Sequence, residues 1–491
     1  MPAPDVCLIM IVCNEAGCIT DTLREVLQSF KVVTWVICDT GSTDGTQDLV
    51  RQFFHSHDMP GVLVQHTWQD FGTNRTLAMR VARERAPHTY GLMWDADDSV
   101  EGLVRLPFAA TPGLLPDMFL LTMTMGSYIF QRACLFSLHI DWKFEGVLHE
   151  YPARADNKPE TKMWLPPMPA ATDAATDAAT YCIRLNHRKG HRSMLPDGVK
   201  FGQDAAVLLR ALEDCQRRLR NPDLRSEERH TVLTLKHRYA FYCANAFKDS
   251  GDAMQAVAMY RQVLHMSEAW VQERYMAAIY AFDLSETAPS AELGPTRSDS
   301  SPGSSSDPQQ YTHYLVAAWS LDPTRAESVA RLVRVHCGTG QGQVALKYLT
   351  WAVPAWDATD WGEDRVLASK LFACRLDYRF YLPLYALMAC GLCNDFRSVL
   401  VRRALTILGK FRVVGVPAAH IATLFEFLAL FLREFPGISA SLPALGWVTY
   451  ATDIVAEGVH EHTDMQSSTH ALQCLLHLAG HGRSSYTLKT A

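Results

Sequence analysis

A chain of 491 residues is too long for one hydrophobic core and implies several domains. With 48% apolar and 20% charged residues it has the composition of an ordinary folded protein, which excludes disordered and fibrous classes. The net charge of −6, from 46 Lys+Arg against 52 Asp+Glu, argues against a sequence-independent nucleic-acid binder.

The first hundred residues alternate between two periodicities. Strand-like runs are VCLIMIV (6–12), VVTWVIC (32–38), GVLVQH (61–66) and YGLMW (90–94). Between them lie helical stretches: GCITDTLREVLQSF (17–30), with Ile19, Leu23, Val26, Leu27 and Phe30 on one face, TQDLVRQFF (46–54) and NRTLAMRVARERA (74–86). Continuous apolar strands separated by amphipathic helices predict a mostly parallel, doubly wound α/β sheet. Right-handed crossovers then put the carboxyl ends of those strands on one edge, where ligands bind. MFLLTMT (118–124), YIFQRACLF (128–136) and LHIDW (138–142) predict added, partly antiparallel strands. PPMPAATDAATDAAT (166–180) is too poor in large apolar residues to pack, which predicts a mobile insertion.

From about residue 201 the pattern is helical. RYAFYCANAFKDSGDAMQAVAMYRQVL (238–264) predicts two helices joined by a tight turn, with small residues where they cross, much like a tetratricopeptide unit. LVAAWSLDPTRAESVARLV (315–333) looks like a further half-unit. The predicted organisation is a sheet domain over 1–200, tetratricopeptide-like helices over 201–284, a disordered Ser/Pro/Gly linker over 285–309, further helical repeats over 310–435, and an unassigned tail over 436–491.

The 13 cysteines follow no disulfide framework and read as small buried thiols; CGLC (390–393) is a lone pair within a helical pattern. No secretory signal opens the chain, and its longest apolar run (413–432) carries Pro417, His420 and Glu426, which predicts a buried helix and a cytoplasmic protein without a transmembrane segment.

Chemistry concentrates at the strand ends. Asp39 closes the second strand and Asp95 the fourth, so the sheet brings both to one edge; an extended backbone would aim Asp97 the same way as Asp95, the alternative being that DADD (95–98) is a solvated turn and helix cap. Unpaired carboxylates crowded there would repel, and a divalent cation, Mg²⁺ or Mn²⁺, would remove that penalty with substrate phosphates completing its shell. The small residues of DTGSTDGT (39–46) admit a flat polar ligand, with Asp39 able to accept a base N–H. No GxGxxG opens the first helix and no GKS/T follows a strand, so Rossmann and P-loop cofactor sites are excluded.

IVCNEA (11–16), DTGSTDGT (39–46), WQDFGTNRTLA (68–78) and DAD (95–97), taken in order, resemble the inverting family-two glycosyltransferases of A-type fold. The helical half is similar to that of members carrying a C-terminal tetratricopeptide-like domain. The resemblance implies that Asn14 and Glu15 line the nucleotide, Asp39 bonds its base, Arg75 reaches the base or a phosphate, and Asp95 holds the ribose or a metal-bound water. It makes Asp97 the ligand of Mn²⁺ or Mg²⁺. Arg75 could instead be a helix-start arginine paired with Asp70. In WKFEGVLHEYP (142–152) the resemblance implies a catalytic base, Glu150 with Glu145 in reserve. His187, in IRLNHRKGHR (183–192) beside Arg188, Lys189 and Arg192, would complete the metal site, with His149 and His191 as competitors.

The implied activity is inverting, metal-dependent transfer of a sugar from a nucleotide-diphosphate donor, UDP by family resemblance, to a hydroxyl of a glycan or protein acceptor. The helical repeats would offer a concave surface to an acceptor or protein partner. Competing readings are an inactive tetratricopeptide adaptor, a nucleotidyltransferase on a similar sheet, and a glycoside hydrolase. CNEAGCI (13–19) lacks the basic residue a nucleotidyltransferase would want, and a hydrolase leaves DTGSTDGT unexplained.

Overall fold

The structure, a computed structural model, describes residues 5–101, 115–125, 127–165, 183–187, 192–287, 308–357, 364–393, 399–410, 420 and 424. The described residues within 1–125, 129–305 and 368–373 gather into one compact unit, and the other described residues into a second. The segment 166–180, the tail, and most of the linker lie outside the described residues.

The first unit is built on a mostly parallel sheet. Strands β1 (Val6–Val12), β2 (Val32–Asp39), β3 (Gly61–Gln65) and β4 (Tyr90–Met93) alternate with helices α1 (Ile19–Ser29), α2 (Thr46–Ser56) and α3 (Phe71–Arg85). β1 lies between β2 and β4, and β2 beside β3, all parallel. Alternation decides which residue faces which helix layer. Val6, Leu8, Met10 and Val12 join Leu23, Val26, Val50 and Phe54 of α1 and α2 in one core, while Cys7 and Ile9 join Ala78, Met79 and Ala82 of α3 in the other. Trp35 and Phe54 stack at 4.2 Å between ring centroids. The thiols of Cys7 and Cys38 are raised to about 12 by burial, as expected of inert core residues.

The sheet continues through β5 (Asp98–Glu101), β6 (Met118–Met125), β7 (Tyr128–Ser137), β10 (Lys162–Leu165) and β11 (Ile183–His187), in the order β3-β2-β1-β4-β7-β6-β11-β5, with β10 beside β6. β7 runs antiparallel to β4, as the sequence pattern predicts. LHIDW is a turn leading into a strand and not a strand itself: Ile140 N–H donates to Ser137 O at 3.2 Å. That strand, β8 (Trp142–Glu145), forms a separate hairpin with β9 (Tyr151–Arg154).

The same unit includes helices α4 (Asp197–Leu219), α5 (Ser226–Ser250), α6 (Ala253–His265) and α7 (Val271–Thr287), each packed on the next. α5 and α6 form the tight hairpin read from the sequence, with Asp252 capping α6 by accepting from Gln255 N–H at 3.0 Å. α7 runs to Thr287, two residues past the predicted start of the linker.

The second unit is helical: α8 (Thr312–Leu321), α9 (Ala326–Gly338), α10 (Gly342–Asp357), α11 (Asp364–Leu367), α12 (Leu382–Leu392) and α13 (Val399–Lys410). DPTRAE makes its first corner, where Arg325, 1% exposed, pairs with Glu327 at 2.5 Å. The Tyr378 hydroxyl donates to the same carboxylate at 2.9 Å, so the buried charges are both paired and hydrogen-bonded. No helix among the described residues is long and apolar enough to cross a membrane.

Candidate active site

The loops after β1 and β2 interlock. Asn14 adopts a left-handed backbone, φ +58°; its N–H donates to Ser42 Oγ at 2.9 Å and its Oδ1 accepts from Thr43 N–H at 2.8 Å. Glu15 N–H donates to Thr46 Oγ1, and Ala16 N–H to Asp44 Oδ2. Burial would raise the Asp44 carboxyl, but the Thr46 hydroxyl and the amides of Ala16 and Thr46 outweigh it and hold the pKa below its usual value. Gly45, at φ +93°, takes the backbone turn that starts α2.

Asp39 is 1% exposed, and its carboxylate accepts from the amides of Gly41 and Ser42 at 3.1–3.3 Å and from Gln47 Nε2 at 2.8 Å. Its oxygens therefore organise the loop, and Thr40 is the residue of this strand end that lines the neighbouring cavity.

DADD is a turn and not an extended segment: Asp98 N–H donates to Asp95 O at 3.2 Å. The acidic groups are not left unpaired, contrary to the expectation of bare repelling carboxylates. Asp95 receives Arg75 Nη2 at 2.7 Å on one oxygen and Arg132 Nη2 at 2.5 Å on the other. Arg132 Nη1 also pairs at 2.5 Å with Asp98, which is 1% exposed. Arg75 Nε lies 2.6 Å from Glu150 Oε1, off the N–H direction, so this is a charge contact without an aligned hydrogen bond. The result is a chain of alternating charge, Glu150–Arg75–Asp95–Arg132–Asp98. Burial alone would push the Asp95 carboxyl up; the Arg75 and Arg132 charges outweigh it and hold it well below the ordinary range. Asp70 is not the partner of Arg75; it caps α3 by accepting from Thr73 N–H at 2.7 Å.

Arg132 was missed by the sequence reading. Its signal was available: an arginine inside the apolar run YIFQRACLF must find a buried acid.

Two cavities flank this chain and share Phe71, Arg75, Asp95 and Leu148. The larger, about 760 Å³, is lined by Glu15, Thr40, Asp97, Arg192 and Lys200 among others. Arg192 pairs with Asp204 of α4, and its guanidinium lies 5.7 Å from the Phe71 ring centroid. The smaller, about 450 Å³, includes Glu150, Arg132, Tyr151 and Arg238. Glu150, with its side chain 11% exposed, faces this second space; Glu145, on β8, is instead paired with Lys143 at 2.7 Å. Asn14 lines neither cavity and serves the loop junction.

His187 ends β11, where the antiparallel register sets it opposite Asp98, one residue from Asp97. Arg188, Lys189 and His191 lie outside the described residues. Among the described residues no group of three or more His, Cys, Asp or Glu side chains is arranged to hold a metal. Asp97 nevertheless presents a hard carboxylate in the larger cavity, which suits a cation that takes most of its ligands from substrate phosphates and water.

Residues 7–104 match the family model for glycosyl transferase family 2. Residues 7–104 thus form a family-two glycosyltransferase domain within a sheet of A-type fold, and the enzyme is a glycosyltransferase. Among solved structures, the chain is similar to the mannosyltransferase PcManGT from Pyrobaculum calidifontis in complex with GDP-Man and Mn²⁺: 14% identity, 58% of this chain, 88% of that one, TM-score 0.27. It is also similar to residues 1–349 of S. aureus TarS in complex with UDP-GlcNAc: 14% identity, 57% and 89% coverage, TM-score 0.30. BtubC (BKLC) from P. vanneervenii aligns at 11% identity, 59% and 96% coverage, TM-score 0.31. No curated protein matches the chain.

Proposed function

We propose that the protein transfers a sugar, with inversion, from a nucleotide-diphosphate donor to a hydroxyl of a glycan or protein acceptor. The observation that carries this reading is the Glu150–Arg75–Asp95 chain, which joins an acid on the smaller cavity to the acidic turn on the larger one. The larger cavity is the donor side. Glu15, Thr40 and Asp95 would meet the nucleoside, with Asp39 behind them holding the loop, and Arg192 and Lys200 would meet the diphosphate. The family resemblance supports UDP as the nucleotide.

The smaller cavity is the acceptor side. Glu150 would take the proton from the acceptor hydroxyl as that oxygen attacks the anomeric carbon, while the bond from that carbon to the diphosphate oxygen breaks on the opposite face. One base suffices, because no covalent sugar–enzyme intermediate forms. Asp97, with His187 from the adjoining strand, would hold Mn²⁺ or Mg²⁺; when bound, the cation supplies charge stabilisation for the departing diphosphate. The helices from 201 onward are read as tetratricopeptide-like repeats that also present a surface for a protein partner, and the protein as cytoplasmic.

The test is a panel of nucleotide sugars incubated with the full chain, with and without Mn²⁺ and Mg²⁺, following release of free nucleoside diphosphate. Release from one donor, lost on chelation and in Asp97→Ala, is the expected result. Full turnover in EDTA removes the cation from the reading, and no release from any donor removes the transferase.

A further inference from the structure

The loop that delivers Glu150 has an unusual backbone. Gly146 stands at φ +114° and His149 at φ +54°, a conformation that costs a non-glycine residue about 1 kcal/mol or more unless its surroundings enforce it. On one side the loop lies against α3. Phe71 N–H donates to Val147 O at 3.3 Å, Phe144 N–H donates to Thr76 Oγ1 at 2.8 Å, and a Cβ on Gly72 would meet Gly146 O at 2.2 Å. Only glycine lets the two backbones approach so closely.

On the other side the loop is met by one face of α5. The Tyr239 hydroxyl accepts from Val147 N–H at 2.9 Å, and Tyr239 is 3% exposed. Arg238 Nε donates to His149 O at 2.6 Å, while its Nη1 is tied at 3.1 Å to the buried carboxylate of Glu273 on α7. One turn further on, the Tyr242 ring stacks on His149 with 3.9 Å between centroids and 13° between planes. Three side chains of a single helix thus fix Val147 and His149, immediately before Glu150.

We propose that α5 is a working part of the transfer site: Arg238, Tyr239 and Tyr242 are positioning residues that set the 146–150 loop so that Glu150 faces the acceptor cavity. The inference rests on Glu150 being the base. It gives the helices a task in the chemistry, separate from any partner surface. A base set loosely by even an ångström loses much of its advantage, because proton transfer depends on hydrogen-bond reach.

The experiment uses the full-length protein and three readouts: amide hydrogen exchange at Val147, UDP affinity by calorimetry, and turnover of nucleotide release from the donor that the panel identifies. Tyr239→Phe removes one oxygen and keeps the ring, so the fold should persist. The expected result is faster exchange at Val147 and turnover lowered about tenfold or more, with UDP affinity within about twofold of wild type and unchanged melting. Tyr242→Leu, which removes the stack on His149, should also lower turnover. Unchanged turnover in Tyr239→Phe overturns the proposal whatever the exchange shows, and so does a parallel loss of UDP affinity, which marks a general defect. A wild-type protein that releases nucleotide from no donor sinks the transferase reading instead, and the exchange at Val147 then decides whether α5 holds the loop.

Discussion

The two rims of the site are built in opposite ways. On the donor side, Asp39 is satisfied by amides two and three residues along and by Gln47, and Asn14 reaches one βα unit onward to Thr43. On the acceptor side, nearly every group that fixes the loop is distant in sequence: Arg238 lies 89 residues from His149, and Tyr239 lies 92 from Val147. A locally satisfied rim is carried by its own loop chemistry and is hard to misplace. A rim assembled from distant elements is set only when the whole unit has folded.

The contrast is broken or sharpened first at Glu150. Glu150→Gln should lower turnover of nucleotide release by about two to four orders of magnitude while UDP affinity holds, as expected for loss of a general base. Glu145→Gln should sit near wild type, because that residue pairs with Lys143 on the same strand, β8. Equal losses in the two variants would erase the distinction between them.

Next in size is Arg132, which serves Asp95 and the buried Asp98 together. Arg132→Met should cost about 3–5 kcal/mol in denaturant unfolding, since it removes the cation paired with the buried Asp98 carboxylate. Adding Asp98→Asn should recover part of that loss, and a fully additive double variant would contradict the pairing.

These residues also show what the sequence alone made legible. The parallel sheet could be read because period-two strands and amphipathic helices are local patterns, and Asp39 and Asp95 could be placed on one edge because strand polarity follows from that alternation. Arg75 pairs with Asp95 across 20 residues and Arg132 across 37, distances at which no periodicity names a partner, so the carboxylates looked bare. The role of α5 was hidden for the same reason: Arg238, Tyr239 and Tyr242 fit a helical-repeat pattern, and their contacts with the loop exist only in three dimensions. For DADD the sequence left both an extended end and a turn open, and the run of small and acidic residues settles into the turn.

The donor rim should respond more mildly. Gly45→Ala places a Cβ on a left-handed backbone and should cost about 1–2 kcal/mol of stability by chemical denaturation, with turnover per folded molecule little changed. A large loss of turnover with unchanged stability would give this glycine a role in the chemistry.

The smallest effect concerns pH. Crowding of the His149 ring, followed by the Arg238 and Arg192 charges, pushes its pKa down to about 3 from an ordinary 6.5. The folded state therefore disfavours the proton, and the contribution of His149 to stability is complete above about pH 6.5 and fades as pH falls toward 3. Much of the residue stays accessible to solvent, which weakens the effect. Melting temperature should drop modestly from about pH 7 to 5, and His149→Phe, which keeps the stack on Tyr242, should flatten that drop. An unchanged slope would remove His149 from the balance.

The central claim is that Arg75 joins the two cavities into one site, holding Asp95 with one nitrogen and Glu150 with another. A double-mutant cycle on turnover of nucleotide release, using Arg75→Lys and Glu150→Gln, tests it most directly. The account predicts a coupling above about 1 kcal/mol, with the double variant little slower than Glu150→Gln alone. Losses that simply multiply would show the two residues acting independently and would contradict it.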